Sequence, residues 1–276
     1  MTKVCNIAAL QMSSSNNVIH NLSVVEDLVR EAEQNIDILV LPEDFAHMPN
    51  VKAERIETAE TMGSGIIQDF ISRLAQNYGI WVVAGTIPIK HPEHDDRVYA
   101  ACIVFNEQGA PVHRYDKLHL FDVKLPNGQV YCESDSIEYG DIDIANYVET
   151  PWGKVGLSIC YDMRFPELYR SMPDDVFISC VPAAFTRKTG EVHWEVLLRA
   201  RAIENQCYII AAAQFGRHQN GRETWGHSML VDAWGRVVNC LESQAGIIIN
   251  EVDFEALTNI REHFPCLKHK RTHIHF

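Results

Sequence analysis

Short, continuous apolar runs alternate with segments of helical periodicity in the first third of the chain. Val4 to Met12 and Asp37 to Leu41 are two such runs, and Asn21 to Glu33 between them has apolar residues three or four positions apart. Ser64 can cap a further helix that runs to Tyr78, which is followed by a strand over Ile80 to Thr86. A continuous apolar run is typical of a strand that is covered on both faces. The alternation therefore predicts an α/β fold.

The rest of the chain adds hairpin turns and two more helices. Three short glycine-bearing turns interrupt extended runs, at Asn106 to Gly109, Thr150 to Gly153 and Asp232 to Gly235. A short helix is predicted to begin at Pro166, and a longer one covers about Glu191 to Asn205. No change of composition marks a second domain. We therefore expect one domain over residues 1–276, with residues 265–276 as a C-terminal arm.

The charge balance excludes several classes of partner. The chain has 37 acidic and 24 basic residues, a formal net charge of −13, and no long run of Lys or Arg. Nucleic acids and anionic membranes are therefore poor partners, and no apolar run approaches the ~20 residues that span a bilayer. We expect a small-molecule substrate. Any carboxylate that it carries must be met by local Arg or Lys side chains.

Cysteine spacing argues against a structural metal or a disulfide framework. The eight cysteines are at least 20 residues apart and none forms a C-x-x-C pair. Free thiols indicate a reducing compartment, so we expect a cytoplasmic protein. The segment Gly63-Ser64-Gly65 lacks the third glycine of a dinucleotide-binding loop, and the histidines at 91, 94, 269, 273 and 275 lack nearby acidic or thiol ligands. We expect no cofactor and no metal.

Cys160 stands where the apolar strand Val155 to Ile159 gives way to the helix at Pro166. A strand-to-helix turn exposes a side chain at the edge of the sheet and leaves the next backbone N–H free, which suits a nucleophile beside an oxyanion site. The alternative is a buried structural thiol. A catalytic thiol needs a base, and the sequence leaves open both a spatial Cys–His pair and Glu43, which ends the strand Asp37 to Leu41.

Three separate segments together resemble signature blocks of the nitrilase superfamily. They occur in the family's order, at Leu41 to Glu43, Tyr115 to Leu120 and Ile159 to Glu167. The resemblance implies a four-layer αββα sandwich and a covalent thioester mechanism that needs neither a metal nor a cofactor. It also implies assembly through the outer helices into homodimers or larger homo-oligomers.

The resemblance also assigns roles to individual residues. It implies that Glu43 is the general base, that Cys160 is the nucleophile, and that Lys117 and the backbone N–H of Tyr161 face the oxygen of the tetrahedral intermediate. Glu133 matches a second glutamate of the amidase branches, which helps to place substrate and water.

Four other charged residues and three cysteines receive local interpretations. Arg164 and Glu167 are interpreted as a supporting ion pair, and Asp44 and Asp162 as local hydrogen-bonding groups. Cys132, Cys180 and Cys207 are assigned as structural thiols.

One branch of the superfamily resembles this chain most. The segment Thr189 to Glu204 is similar to the branch that hydrolyses deaminated glutathione to 2-oxoglutarate and cysteinylglycine, and the ω-amidase branch that acts on α-ketoglutaramate shares the earlier blocks. Phe185 and Thr186 follow the strand Val176 to Val181, so we expect them to line the leaving-group side if that strand is a parallel neighbour of the strand before Cys160. The alternative interpretations are a nitrile hydrolase, a carbamoylase and an inactive binding module.

Overall fold

Two β-sheets lie face to face at the centre of the molecule, with helices outside them. The computed structural model describes residues 4–124, 128 and 130–271. The first sheet contains β1 (Asn6–Gln11), β2 (Ile38–Val40), β3 (Trp81–Val83), β4 (Ile87–Lys90), β5 (Val98–Phe105), β6 (Pro111–Asp116), β9 (Ile137–Glu138) and β18 (Gly246–Glu251). The second sheet contains β10 (Tyr147–Thr150), β11 (Gly153–Leu157), β12 (Ile178–Ala183), β13 (Tyr208–Ala213), β16 (Ser228–Val231) and β17 (Val237–Leu241).

Six α-helices and two small hairpins complete the described elements. The helices are α1 (Val18–Arg30), α2 (Lys52–Glu57), α3 (Ile66–Tyr78), α4 (Pro166–Ser171), α5 (Arg187–Asn205) and α6 (Phe254–His263). The hairpins are β7 (Val123–Lys124) with β8 (Val130–Tyr131), and β14 (Phe215–Arg217) with β15 (Glu223–Trp225). None of the helices among the described residues is long and apolar enough to cross a membrane.

The alternation of side chains along β1 shows why the molecule has four layers. Ile7 and Ala9 pack in a hydrophobic cluster that also contains side chains of the second sheet, whereas Ala8 and Leu10 pack with α1 and α3. Successive residues of a strand point to opposite faces, so one strand serves both layers. Helices α4 and α5 contribute to the cluster on the side of the second sheet. The four-layer αββα sandwich is therefore confirmed.

One predicted helix start and one predicted helix cap were wrong. Helix α1 begins at Val18 rather than Asn21, because the side chain of Asn17 caps it by accepting a hydrogen bond from the backbone N–H of His20. Helix α3 is not capped by Ser64. Its first turn is instead held by the carboxylate of Glu60, which accepts from the backbone N–H groups of Ile67 and Gln68.

The strand ends meet at one edge of the sandwich. Strands β1, β2 and β3 are parallel, and so are β11, β12 and β13. All three predicted hairpin turns are confirmed, since β5 pairs with β6, β10 with β11 and β16 with β17. Segments that leave the carboxyl ends of β2, β11 and β12 carry Glu43, Cys160 and Phe185 respectively. This edge is where parallel-sheet proteins place their ligands.

The expected C-terminal arm is described only in part. A 3-10 turn at Cys266–His269 buries Leu267, and Lys270 pairs with Asp174 of the same chain at 2.5 Å. This part of the arm therefore packs on its own chain. Residues 272–276 lie outside the described residues.

Candidate active site

Glu43 lies directly after β2 in a segment that is fixed from several sides. The side-chain amide of Gln214 donates to the backbone oxygen of Glu43 (3.0 Å), and the backbone N–H of Ala184 donates to its Oε2 (2.7 Å). Gly85 approaches the segment so closely that a Cβ atom there would stand 2.0 Å from the oxygen of Pro42. The carboxylate is therefore held in one position, with 4% of the residue exposed.

Lys117 is fully buried between two carboxylates. Its Nζ lies 2.7 Å from Oε1 of Glu43 and 2.7 Å from Oε2 of Glu133, and the same Glu133 oxygen accepts from the backbone N–H of Phe121 (2.8 Å). Burial acts to lower the pKa of Lys117, but the charges of Glu133 and Glu43 outweigh it and raise that pKa well above its usual value. The side chain is therefore a fixed cation.

Cys160 occupies the elbow that the sequence predicts. It follows β11, opens a 3-10 turn over Cys160–Arg164, and has a φ of +47°. Positive φ is uncommon for a residue other than glycine and is a form of backbone strain found at functional sites. Burial, followed by the charge of Glu43, raises the pKa of the Cys160 thiol well above its usual value, although Lys117 acts in the opposite direction. A base that takes the thiol proton is therefore needed before Cys160 can act as a nucleophile.

Asp162 connects the elbow to the strand that carries the lysine. One carboxylate oxygen accepts from the backbone N–H of Ile159 (2.9 Å) and from the hydroxyl of Tyr115 (2.8 Å). The other accepts from the backbone N–H of His119 (2.9 Å) and lies 2.7 Å from Nδ1 of the same residue. Asp162 is thus more than the local group expected from sequence. It ties the residues on either side of Lys117 to the turn of Cys160.

A narrow pocket opens beside the thiol. Its lining includes Cys160, Tyr161, Glu133, Phe185 and Thr186. Strands β11 and β12 are parallel neighbours, which places Phe185 and Thr186 at the same edge as the elbow. The structure therefore brings all seven of the predicted site residues to one region, where Lys117 joins Glu43 to the pocket residue Glu133.

This arrangement suits transfer of an acyl group. The Cys160 thiol has a carboxylate nearby that can take its proton, and a buried ammonium lies nearby to stabilise developing negative charge. The thiol and the carboxylate reach the site on different sheets, Cys160 after β11 and Glu43 after β2. The sequence alternative of a Cys–His pair finds no support, since no histidine lines this pocket among the described residues.

Two secondary expectations were wrong. Arg164 forms no ion pair with Glu167 within the part of the chain that the structure describes; it lies over the rings of Phe185 (5.0 Å) and Tyr161 (5.8 Å) instead. Cys132 is exposed and contacts Asp135 (3.3 Å), so it is not a buried structural thiol. The tyrosine and phenylalanine rings offer Arg164 a cation–π contact, which the spacing of charges in a sequence does not reveal.

Sequence reasoning missed Arg222, which also lines the pocket. It lies between β14 and β15 and donates through Nη2 to the backbone oxygen of Ala184. The neighbouring Asn220-Gly221 marks a turn, but no local pattern shows that the following side chain points towards Cys160. Among the described residues, no group of three or more His, Cys, Asp or Glu side chains is placed to hold a metal ion.

The chain is similar in sequence to known proteins over most of its length. A sequence model described as "Carbon-nitrogen hydrolase" matches residues 6–262. A Yersinia enterocolitica protein named deaminated glutathione amidase is 39% identical over 98% of this chain and 94% of its own length, and a human protein of the same name is 38% identical over 96% and 82%.

Solved structures show the same fold. The Saccharomyces cerevisiae protein Nit3, described as a member of branch 10 of the nitrilase superfamily, superposes with a TM-score of 0.86 at 30% identity, covering 99% of this chain and 98% of its own. The Caenorhabditis elegans NitFhit protein gives a TM-score of 0.90 at 36% identity, over 98% of this chain and 66% of that chain.

Replacement of the buried ammonium tests the charge arrangement. Lys117→Met leaves the buried carboxylate of Glu43 and the partly buried carboxylate of Glu133 without their shared cation, so we expect the free energy of unfolding to fall by about 3–5 kcal/mol at neutral pH. Lys154→Met is the matched control, because Lys154 pairs with Asp175 at 2.7 Å on the surface and its loss should change stability little. Urea denaturation of both variants measures the difference. Equal urea midpoints for Lys117→Met and Lys154→Met would show that the buried cation does not stabilise the fold.

Proposed function

The chain belongs to the carbon-nitrogen hydrolase family, and we propose that it hydrolyses deaminated glutathione to 2-oxoglutarate and cysteinylglycine. The observation that carries the proposal is the buried cluster of Glu43, Lys117 and Glu133 beside the elbow thiol of Cys160. The curated relatives described above bear the name of this activity over nearly the whole chain. The reaction would repair a metabolite.

In the first half of the proposed reaction, Glu43 takes the proton of the Cys160 thiol as the sulfur attacks the amide carbon. The oxygen of the resulting tetrahedral intermediate faces Nζ of Lys117 and the backbone N–H of Tyr161. Preorganised donors of this kind change the rate by about 10²-fold to 10³-fold. Glu43 then gives its proton to the departing amine, the C–N bond breaks, and a thioester remains on Cys160.

In the second half, Glu43 takes a proton from water as the water oxygen attacks the thioester. Collapse of the second tetrahedral intermediate breaks the C–S bond, releases 2-oxoglutarate, and returns the proton to Cys160. Glu133 does not exchange protons in this scheme. Its carboxylate fixes Lys117 and the backbone of Phe121 and lines the pocket, where it helps to place substrate and water.

The dual role of Glu43 can be tested by intact-mass spectrometry. Glu43→Gln lacks the base for acylation, so we expect no acyl adduct on Cys160 and a fall in kcat of at least about 10²-fold. Cys160→Ala is the control for acyl adducts on residues other than Cys160, and this variant should be folded and inactive. Accumulation of acyl-enzyme in Glu43→Gln would restrict Glu43 to the second half-reaction.

Parallel kinetics on two amides test the substrate. We expect a higher kcat/KM for deaminated glutathione than for α-ketoglutaramate, because contacts to the peptide leaving group can lower the transition state. Phe185→Leu and Thr186→Val should reduce the difference in kcat/KM between the two amides. Each ~1.4 kcal/mol of differential transition-state binding appears as about tenfold in the ratio of the two kcat/KM values. A preference for α-ketoglutaramate would instead assign the chain to ω-amidase activity.

We also propose a cytoplasmic location. All eight cysteines are free in the structure, and several, such as Cys5, Cys102 and Cys180, are completely buried. Free thiols are the usual state in a reducing compartment. The proposal rests on this cysteine usage.

Homo-oligomeric assembly is a further proposal, supported by an apolar patch on the outer face of α5. We define the α5 patch by five side chains whose exposed fractions range from 49% to 66%: Val192, Val196, Ile203, Trp234 and Phe264. The rings of Trp234 and Phe264 contact each other at a centroid distance of 5.9 Å. Val192, Val196 and Ile203 share one face of α5, and exposed apolar side chains grouped in this way are typical of an interface. A second copy is the expected occupant, since the superfamily assembles through its outer helices.

Sedimentation at micromolar concentration tests this assembly. We expect a dimer or a larger form for the unaltered protein and dissociation in Val196→Lys, because a charge in the α5 patch would be buried on association. Ile19→Lys is the control, since Ile19 is 61% exposed on the outer face of α1. A monomer before any substitution would contradict the proposal.

A further inference from the structure

Arg222 lies at the boundary between two cavities. It lines the narrow pocket of Cys160, and it also lines an outer cavity of about 430 Å³ together with Lys52, Arg55 and Cys132. Phe121 and Glu133 belong to both linings as well. A substrate that reaches Cys160 from the outer cavity must therefore pass the guanidinium group.

The guanidinium of Arg222 has hydrogen-bonding capacity left over. It carries five N–H donors, and Nη2 donates to the backbone oxygen of Ala184. Its Nε is buried and has no hydrogen-bond partner among the described residues. Within the same part of the chain, Arg222 makes no ion pair. A buried donor without a partner costs free energy, and a ligand that accepts a hydrogen bond from it would remove that cost.

The other cations near the site are already occupied or solvated. Lys117 is enclosed by Glu43 and Glu133, and Arg55 pairs with Asp44 at 2.9 Å. Lys52 is exposed at the rim of the outer cavity. Of the lysines and arginines that line the two cavities, Arg222 is therefore the partly buried one whose charge has no carboxylate partner in the described structure.

The hairpin that carries Arg222 is held in place on several sides. The backbone N–H of Trp225 donates to the oxygen of Phe185 (2.9 Å), and Thr224 forms a β-bridge with Thr186. On the other side, the side chain of Asn220 donates to the oxygen of Pro49 (2.8 Å). The position of the guanidinium is thus fixed before substrate arrives, which lowers the entropy cost of binding.

We propose that Arg222 binds the carboxylate of a leaving group whose amine is released at Cys160. This inference rests on the proposed function and extends it to one specificity-determining residue. The smaller pocket suits the acyl part, whereas a peptide leaving group needs the larger outer cavity, and Arg222 faces both. A planar guanidinium matches a carboxylate with two parallel hydrogen bonds. The carboxyl end of the dipeptide would otherwise meet Glu133 with no compensating charge.

A pair of substrates isolates this contact. Deaminated glutathione and its glycine carboxamide differ only in the charge at the far end of the leaving group. We expect the unaltered protein to favour the acid through a lower KM, and Arg222→Met to lose that preference, with kcat/KM for the acid falling about 10-fold to 100-fold. Arg222→Lys should retain part of the preference for the acid over the carboxamide. Arg217→Met is the control, because Arg217 is exposed on the same hairpin.

The acid-to-carboxamide ratio distinguishes recognition of the substrate carboxylate by Arg222 from a purely structural role of this residue. Arg222 also supports the backbone of Ala184, whose N–H donates to Glu43, so a purely structural role would lower kcat for the acid and the carboxamide alike. An unchanged acid-to-carboxamide ratio in Arg222→Met would therefore overturn the proposal, even though deaminated glutathione is still hydrolysed.

A binding measurement tests Arg222 without turnover. Calorimetry on the Cys160→Ala protein should show cysteinylglycine binding that Arg222→Met weakens about 10-fold or more. Equal affinity, or no binding, would overturn the role of Arg222. Absence of any hydrolysis of deaminated glutathione by the unaltered protein would overturn the proposed function instead, so the two failures are separable.

Discussion

The buried ammonium of Lys117 is the interaction on which the site depends. An isolated charge in the protein interior is very costly, so Lys117 requires both of its carboxylate partners at hydrogen-bonding distance. Glu43 comes from the end of β2, Lys117 from the end of β6, and Glu133 from a short 3-10 turn at Glu133–Asp135. The first sheet must therefore place three separate segments of the chain within a few ångströms. The charge of Glu43 adds to burial in raising the pKa of the neighbouring Cys160 thiol.

The elbow adds a second constraint, because Cys160 occupies a conformation that most residues avoid. A residue held at positive φ costs of the order of 1–3 kcal/mol, and the surrounding structure must compensate. Asp162 does so with hydrogen bonds to the elbow and to Tyr115 and His119, on either side of Lys117. The same carboxylate that restrains the strained turn thus also fixes the distance between nucleophile and cation. Packing of the two sheets and the geometry of the site are coupled through this residue.

Sequence reasoning identified the residues of the site, but it did not reveal the ionisation behaviour of their side chains. The apolar runs, the three hairpin turns and the position of Glu43 at a strand end could be predicted, since each depends on local periodicity and on turn chemistry. The raised pKa of Cys160 could not, because it depends on burial and on the charge of Glu43 across the sandwich. The predicted cap of α3 was wrong for a similar reason. Its cap is the carboxylate of Glu60, which lies outside the window that a local capping pattern covers.

Arg222 could not be predicted from local sequence patterns, and it lies in a different part of the fold from the residues proposed for the chemistry. The groups proposed for the chemistry follow the strands of the two large sheets or the turns that leave them, where core packing and hydrogen bonds fix their positions. The residue proposed for selectivity lies instead in the hairpin of β14 and β15, and its neighbours Phe185 and Thr186 leave the end of β12. Loops tolerate change better than the core does. A different leaving group can therefore be accommodated by altering Arg222 and its hairpin, while Lys117 and its two carboxylates keep the positions that the thiol requires.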